Sequence, residues 1–184
     1  RVLRGAPFAA RFDFSVAEET VSISRGISLS ALSKERVEAE LKKALLKAEK
    51  PSVFFETLRK MGKLSEWFCE LEALIGVAQN PKYHAEGDVW NHTMMVLDAA
   101  VQYRERASNP LGFMMTALVH DFGKAICTEI VRGKICSYHH ETKGLPLISS
   151  FLHRITNETK LIQYVLNLSE HHMKPNALAS QGSS

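Results

Sequence analysis

The stretch ALVHDFGK, residues 117–124, places an imidazole beside a carboxylate at the end of an apolar run. Adjacent helical residues diverge by about 100°, so His120 and Asp121 can bind one ion only where the helix is ending, and Gly123 offers that end. Imidazole and carboxylate together suit Zn, Ni, Co, Mn or Fe, and the mixture does not choose among these metals. The stretch therefore predicts a metal-ligand pair.

Three further histidines are predicted to point inward from other helices. His92 and His172 each continue the three- and four-residue spacing of apolar residues on their helices. His140 fits a similar pattern less well, because Pro146 favours a helix that starts only after about residue 143. Taken singly, each is more ordinarily a hydrogen-bonded core histidine. Convergence from separate helices, however, is how helical bundles build metal sites.

We therefore predict a divalent-metal site for Ni, Co, Mn, Zn or Mg. Its predicted ligands are His92, His120, Asp121 and His172.

Helical patterns run through almost the whole chain. Ser15 and Glu18 read as a capping box before a helix near 16–25. Further helices are predicted at 34–48, 52–61, 64–76, 88–107, 110–121, 142–154 and 157–172. TEIVRGKICS, with a turn at Gly133, is the only plausible hairpin. The pattern predicts an all-α chain with a helical body over 1–80, a helical bundle over 81–176 and a tail over 177–184.

Composition excludes several classes of protein. The chain has 184 residues and is 45% apolar, enough for one good core. Its apolar stretches fall short of the ~20 residues that span a bilayer, and its start does not resemble a signal peptide. We therefore expect a cytoplasmic protein without a membrane partner. Cys69, Cys127 and Cys136 form no CxxC pair, which favours reduced thiols over a disulfide framework.

The net charge of +3 is unevenly distributed. Residues 1–64 contain 13 Lys or Arg against 8 Asp or Glu, whereas residues 65–184 contain 10 against 12. Neutralisation of phosphates by Lys and Arg supplies most sequence-independent affinity for nucleic acids. The predicted RNA contacts are Lys42, Lys43, Lys47, Arg59, Lys60 and Lys63. On charge alone, a solvated helix face with ion-pair partners is an equal alternative.

Several segments resemble one family in the expected order. HAEGDVWNHTMMVLD (84–98), followed by ALVHDFGK, resembles the HD-domain region of bacterial tRNA nucleotidyltransferases, the CCA-adding enzymes of the poly(A) polymerase type. YHHETKG (138–144) is similar to the family's Gly-His-Glu segment, and RVLRGAPFAARFDF (1–14) is similar to its neck helix. The resemblance implies a helical, tRNA-binding neck and body followed by an HD-type bundle. It also implies activity on 2′,3′-cyclic phosphates and nucleotide monoesters.

A working HD site would have the catalytic residues His120, Asp121, His140 and Lys124. A divalent ion lowers the pKa of bound water and stabilises charge on a phosphoryl group. Lys124 would hold the phosphate or be a solvated lysine at a helix end, and His140 would act as an acid or as a ligand of a second ion.

Two departures from the family pattern limit what the resemblance implies. The family's neck opens with a Glu-Asp-x-x-Arg element that selects the incoming nucleotide, and Arg1 occupies its last position. Arg1 and Arg4 are therefore the predicted nucleotide-binding residues. The family's nucleotidyltransferase head has no counterpart, so we interpret the chain as the C-terminal part of a longer protein. Met173 stands where some members have an aspartate, directly after His172.

Three hypotheses remain open at this point. The first is the tRNA-binding neck and HD body of a tRNA nucleotidyltransferase, with hydrolysis of terminal phosphates. The second is a stand-alone HD phosphohydrolase, which leaves the first 12 residues unexplained. The third is a helical scaffold with a dead site.

Overall fold

The computed structural model describes residues 2–12 and 18–174, and their regular structure is almost entirely helical. The first half contains helices α1 (Val2–Phe12), α2 (Glu18–Arg25), α3 (Lys34–Lys47), α4 (Ser52–Lys60) and α5 (Cys69–Glu72). The second half contains α6 (Val89–Ala100), α7 (Pro110–Val119), α8 (Lys124–Cys127), α9 (His140–Lys143), α10 (Leu145–Ile155) and α11 (Thr159–His171). The predicted capping box at Ser15, the tail over 177–184, Arg1 and the side chain of Arg4 lie outside the described residues.

Within residues 2–12 and 18–174, one short hairpin interrupts the helices, as predicted. Strands β1 (Glu129–Val131) and β2 (Lys134–Cys136) pair antiparallel, with Ile130 opposite Ile135. Gly133 has a φ of 76° in the turn between them, a conformation that glycine adopts without steric strain. The predicted all-α fold with one small β-hairpin is confirmed.

A continuous apolar core joins the two halves of the chain. Phe54, Phe55 and Phe68 form an edge-to-face cluster, with ring centroids of Phe54 and Phe55 4.9 Å apart. Phe68 also contacts Phe151 of α10 at 6.2 Å between centroids, and such pairs stabilise a core beyond their buried area. The core thus crosses residue 80, and the division of the chain at that point stays a prediction.

Helix α6 starts as predicted but ends early. Asp88 is its N-cap and accepts hydrogen bonds from the backbone N–H groups of Asn91 and Gly76, so it fixes the preceding loop to the helix start. The predicted helix over 88–107 is wrong beyond Ala100, where the chain turns into a short 3-10 segment. The turn allows Arg104 to donate to the carbonyl oxygens of Leu45 and Ala48 at the end of α3.

The turn after α7 places His120 and Asp121 just beyond the last helical residue, Val119. The helix therefore ends near this pair, as predicted, but the capping role expected of Gly123 is wrong. Gly123 has a φ of −62° and does not adopt the left-handed conformation of a glycine cap. It is needed for a different reason: a Cβ on Gly123 would lie 2.0 Å from the carbonyl oxygen of His140.

We predict that Gly123→Ala lowers the free energy of unfolding by about 1–3 kcal/mol, the usual effect of overpacking a closed site. The atoms in its way belong to the backbone of α9, which cannot rotate aside as a side chain can. Urea unfolding at neutral pH measures the change. Gly26→Ala is the control, because its Cβ would meet only the carbonyl oxygen of Ile23 at 3.9 Å. Equal stability of the two variants would contradict the close approach.

Candidate metal centre

Four histidines and one aspartate from separate elements meet at one point. His92 lies on α6, His120 caps the end of α7, and Asp121 follows in the turn. His140 begins α9, and His172 caps the end of α11. Helix α7 packs against both α6 and α11. The structure thus brings together all of the residues predicted as ligands, together with His140.

The carboxylate of Asp121 stands at the centre of this cluster, with two imidazoles facing each oxygen. Its Oδ2 lies 3.3 Å from Nε2 of His120 and 3.7 Å from Nε2 of His92. Its Oδ1 lies 3.2 Å from Nε2 of His140 and 3.9 Å from Nε2 of His172. The cluster therefore divides into two triads, His92–His120–Asp121 and Asp121–His140–His172, each with ligand atoms close enough to share one ion.

The other ring nitrogen of each histidine is engaged by an oxygen that only accepts hydrogen bonds. Nδ1 lies close to Glu86 Oε1 for His92 (2.6 Å), to Ala117 O for His120 (3.1 Å), to Ser137 O for His140 (2.9 Å) and to Ser169 O for His172 (2.6 Å). Nδ1 must therefore carry the proton, so Nε2 of a neutral ring presents a lone pair to the cluster. This arrangement is typical of metal-ligating histidines, whose outer nitrogen is fixed by a second partner.

Not every inner atom of the cluster is matched to a well-aligned hydrogen-bond donor. Asp121 is 2% exposed, and its Oδ2 accepts no well-aligned hydrogen bond within the described part of the chain. Nε2 of His140 lies 3.1 Å from Nε2 of His172, and two lone pairs at that distance repel unless a proton or another cation lies between them. Buried groups of this kind need a partner. The donor set therefore fits a divalent transition ion.

Burial and charge act in opposite directions on the pKa values here. For Asp121, burial opposes ionisation, but His120, His140 and Lys124 outweigh it and hold the pKa of the carboxyl well below its usual value. For His120, burial is likewise outweighed, and the neighbouring carboxylate raises the pKa of the imidazole. Burial lowers the pKa of His92 and of His172. Metal binding requires an ionised carboxylate and neutral imidazoles. The shifts of Asp121, His92 and His172 favour that state, whereas the raised pKa of His120 favours a proton that a metal ion would have to displace.

Lys124 lies inside the centre. Its Nζ is 2.8 Å from Asp121 Oδ2 and donates a hydrogen bond to Gln79 Oε1 at 2.9 Å, and its side chain is only 11% exposed. It is therefore not a solvated lysine at a helix end, which was the alternative interpretation from the sequence. Its ammonium supplies positive charge at the edge of the cluster.

The sequence prediction missed Glu86 and His84. Glu86 Oε1 accepts from Nδ1 of His84 at 2.9 Å and from Nδ1 of His92 at 2.6 Å. Its own backbone N–H contributes most to lowering the pKa of Glu86 to about 2; burial opposes this, and the two histidines add to it. Both residues precede α6 in an irregular loop, so helical periodicity could not find them. Their only signal was membership of the HAEGDVWNH segment.

Residues of the cluster line more than one cavity. One of about 520 Å³ contains the Asp121 cluster and Lys124 in its wall, and Tyr83, Tyr138 and Met173 also line it. A second cavity of about 400 Å³ shares His120 and His172 with the first and is otherwise mostly apolar. The larger cavity lies in the 300–1,000 Å³ range of small-molecule sites.

The six basic residues predicted to contact RNA have different surroundings. Lys63 is buried, donates to the carbonyl oxygen of Arg25 and lies 3.2 Å from Glu66. Lys42 lies between Glu38 and Glu158, at 2.9 and 2.6 Å. The side chains exposed to solvent are those of Lys43, Lys47, Arg59 and Lys60. Lys63 and Lys42 thus serve the fold, and four cations remain at the surface.

The fold is all-α, and a His-Asp pair at a helix end is joined by histidines of neighbouring helices. These features define the class: a helical protein with a candidate metal centre. No family model matches the chain. It is 39% identical over 183 residues to the Multifunctional CCA protein of Pseudoalteromonas atlantica, 38% over 182 residues to that of Chromobacterium violaceum and 34% over 179 residues to that of Actinobacillus pleuropneumoniae.

These matches cover 94–95% of this chain and 42–43% of each relative. The chain is homologous to part of the Multifunctional CCA proteins and spans about two fifths of their length. The predicted resemblance to the C-terminal part of a CCA-adding enzyme is confirmed. Among residues 2–12 and 18–174, no helix is both long enough and apolar enough to cross a membrane.

We predict that the neutral imidazoles of His92, His120, His140 and His172 carry their proton on Nδ1, because each Nδ1 faces an acceptor oxygen. Long-range ¹⁵N–¹H NMR correlation of the metal-free protein at pH 9 reports the tautomer directly. The exposed ring of His171 is the control and should populate both forms. If the four rings are instead protonated on Nε2, their lone pairs do not face Asp121, and the proposed ligand arrangement is contradicted.

Proposed function

We propose that this chain is a tRNA-binding part of a CCA-adding protein, and that its Asp121 cluster is a metal-dependent phosphohydrolase site for nucleotides. The observation that carries the metal-dependent site is the convergence of four imidazole Nε2 atoms on one buried carboxylate. Homology to the Multifunctional CCA proteins supports the connection to tRNA. A stand-alone phosphohydrolase is disfavoured, because the homology also covers the first half of the chain.

The residues that would hold the ion are those of the two triads. His92, His120 and Asp121 form the first, and His140 and His172 join the same carboxylate in the second. The cluster can therefore hold one ion in one triad, or two ions that share the carboxylate. When bound, such an ion lowers the pKa of a water molecule and offsets negative charge on a phosphoryl group.

Other groups of the chain act on the substrate. Hydrolysis of a phosphate ester joins a water oxygen to phosphorus, breaks the bond from phosphorus to the ribose oxygen, and gives that oxygen a proton. Lys124 Nζ, held by Gln79 and Asp121, attracts the phosphate into the cavity. When no ion occupies the second triad, the Nε2 atoms of His140 and His172, 3.1 Å apart, would share one proton. His140 would give this proton to the leaving oxygen, and the proton lost by the attacking water would replace it.

Met173 influences which metal fits. Its side chain lines the cavity next to His172, at the position where some relatives of the proposed type have an aspartate. A thioether is a poor ligand for hard divalent ions, whereas imidazole suits Ni, Co and Zn. We therefore expect a softer transition metal to bind better than Mg.

We predict about one transition-metal ion per chain after incubation with Ni, Co, Zn or Mn, and hydrolysis of 2′,3′-cyclic AMP by that form. His120→Ala removes an Nε2 ligand and should abolish both. Elemental analysis and product chromatography measure the two effects. His171→Ala is the matched control, because His171 is exposed and lies beside the cluster only in sequence. Two ions per chain would show that both triads are filled.

Equal metal content in wild type and His120→Ala would contradict the proposed centre. The variant Met173→Asp distinguishes a hydrolase whose activity is weakened by the missing aspartate from a helical scaffold whose site is inactive. Because residue 173 lines the cavity, the new carboxylate should raise activity if the remaining groups are competent. Metal-loaded wild type and Met173→Asp proteins that both lack activity would favour the scaffold.

The proposed RNA contacts are the exposed cations Lys43, Lys47, Arg59 and Lys60. Lys42 and Lys63 are omitted, because acidic partners and backbone oxygens already engage their ammonium groups. Lys43 lies 3.0 Å from Glu40, but its side chain stays 59% exposed. Arg59 lies over the ring of Trp90, 5.1 Å from its centroid, which keeps its guanidinium at the surface of α4. The predicted nucleotide-binding role of Arg1 and Arg4 lies outside the described side chains and stays a prediction.

We predict that Lys43→Glu with Lys47→Glu weakens tRNA binding, because an ammonium that neutralises a phosphate releases a counterion and a carboxylate does not. The slope of log affinity against log salt should fall by about one for each lysine replaced. Filter binding across a salt series measures both quantities. Lys134→Glu with Arg106→Glu, both at exposed positions, makes the same change of four charge units elsewhere and serves as the control. Unchanged affinity and slope in the double variant would exclude RNA contact at α3.

A further inference from the structure

The cavity over the Asp121 cluster has features that a phosphate group alone does not require. It measures about 520 Å³ and includes two tyrosines in its lining. Tyr83 belongs to the loop before α6, and Tyr138 follows strand β2. The cluster supplies charge, and two elements that share no sequence proximity each supply an aromatic ring. The cavity therefore accepts a ligand with a flat apolar part in addition to a phosphate.

Both tyrosines are left open to solvent. Tyr83 is 71% exposed and Tyr138 is 59% exposed, so neither ring contributes most of its apolar surface to the core. A solvent-exposed aromatic ring beside a charged cavity is the arrangement that proteins use to stack nucleobases. Lys82 adds to it, because its ammonium lies 5.5 Å from the ring centroid of Tyr83. The cavity lining thus combines the aromatic faces of Tyr83 and Tyr138 with the positive charge of Lys124, which matches the base and the phosphate of a nucleotide.

The polar content of the cavity argues against an aliphatic or lipid ligand. Gln79, Asn80 and Lys124 line it along with the histidines and Asp121. A lipid chain would remove water from the Lys124 ammonium and the Asp121 cluster without offering a negative charge or a hydrogen-bond acceptor, which is unfavourable. A nucleotide offers them a sugar and a phosphate, while its base requires only the aromatic faces.

We propose that Tyr83 and Tyr138 form a base-stacking subsite. The ligand is a nucleotide that carries a 2′- or 3′-phosphate, either free or at the end of an RNA strand. Its base packs against the tyrosine rings while its phosphate lies over the Asp121 cluster. The inference rests on the proposed hydrolase function and adds the two residues that would select nucleotides over other phosphate esters.

The test compares two substrates that differ in the presence of a base. Metal-loaded wild type, Tyr83→Ala, Tyr138→Ala and the two Phe variants are assayed with 3′-AMP and with glycerol 2-phosphate. Stacking on an aromatic side chain is worth enough that each Ala variant should raise KM for 3′-AMP about 5- to 150-fold. KM for glycerol 2-phosphate should stay unchanged, and the Phe variants, which keep the ring, should resemble wild type.

A second arm distinguishes a free nucleotide from an RNA end. A single-stranded tetranucleotide with a 3′-phosphate should be hydrolysed with a lower KM than 3′-AMP if the natural ligand is an RNA end. An equal or higher KM points to the free nucleotide. Equal effects of the Ala variants on 3′-AMP and glycerol 2-phosphate, or no effect on either substrate, would overturn the subsite.

Calorimetric binding of 3′-AMP separates failure of the subsite from failure of the hydrolase. If the protein hydrolyses neither substrate but binds 3′-AMP about 5- to 150-fold more weakly in the Ala variants, the base-stacking subsite is supported and the hydrolase function is contradicted. If the protein hydrolyses glycerol 2-phosphate but the Ala variants bind 3′-AMP as tightly as wild type, the hydrolase function is supported and the subsite is contradicted. Absence of 3′-AMP binding to metal-loaded wild type would reject the subsite. Both rings are exposed, so urea unfolding should show little change in stability.

Discussion

The burial of one ionised carboxylate constrains the second half of the chain. Asp121 is 2% exposed, and a charge removed from water is tolerated only when other groups compensate for it. Lys124 supplies one compensating positive charge. The Nε2 atoms of imidazoles on three other helices face the same carboxylate, where a cation bound between them and Asp121 would supply the rest. Helices α6, α9 and α11 must therefore end or begin near the turn that follows α7. The geometry that stabilises the charge is the geometry that gathers the candidate ligands, so fold and site share one requirement.

A close backbone contact brings α9 to that turn. Gly123 and Gly144 face each other so tightly that a Cβ on Gly144 would lie 2.8 Å from the backbone nitrogen of Gly123. The contact sets His140 beside the carboxylate, with its Nδ1 fixed by the carbonyl oxygen of Ser137. His140 thus owes its position to two small residues and one carbonyl oxygen. Rigid placement of this kind is what a catalytic or metal-binding group requires.

The basic residues of the first half have two kinds of surroundings. Lys63 and Lys42 make ion pairs or hydrogen bonds that hold the body together, and Lys42 joins α3 to Glu158 before α11. The exposed cations of α3 and α4 face solvent, where a polyanion can reach them. A net charge counted along the sequence cannot separate these roles, because each depends on which way a helix face turns. Fewer cations on α3 and α4 are therefore open to solvent than the charge count of residues 1–64 predicts.

The sequence by itself determined the all-α class, the hairpin at Gly133 and the inward faces of His92 and His172, because these features follow from local periodicity and turn chemistry. The resemblance carried by short segments around the His-Asp pair also needed no coordinates. Tertiary structure alone decided that Glu86 holds His92, that Lys124 meets Asp121 and that Gly123 packs against α9 rather than capping α7. These contacts join irregular segments or residues distant in sequence, and no periodic pattern encodes a distance that only packing fixes.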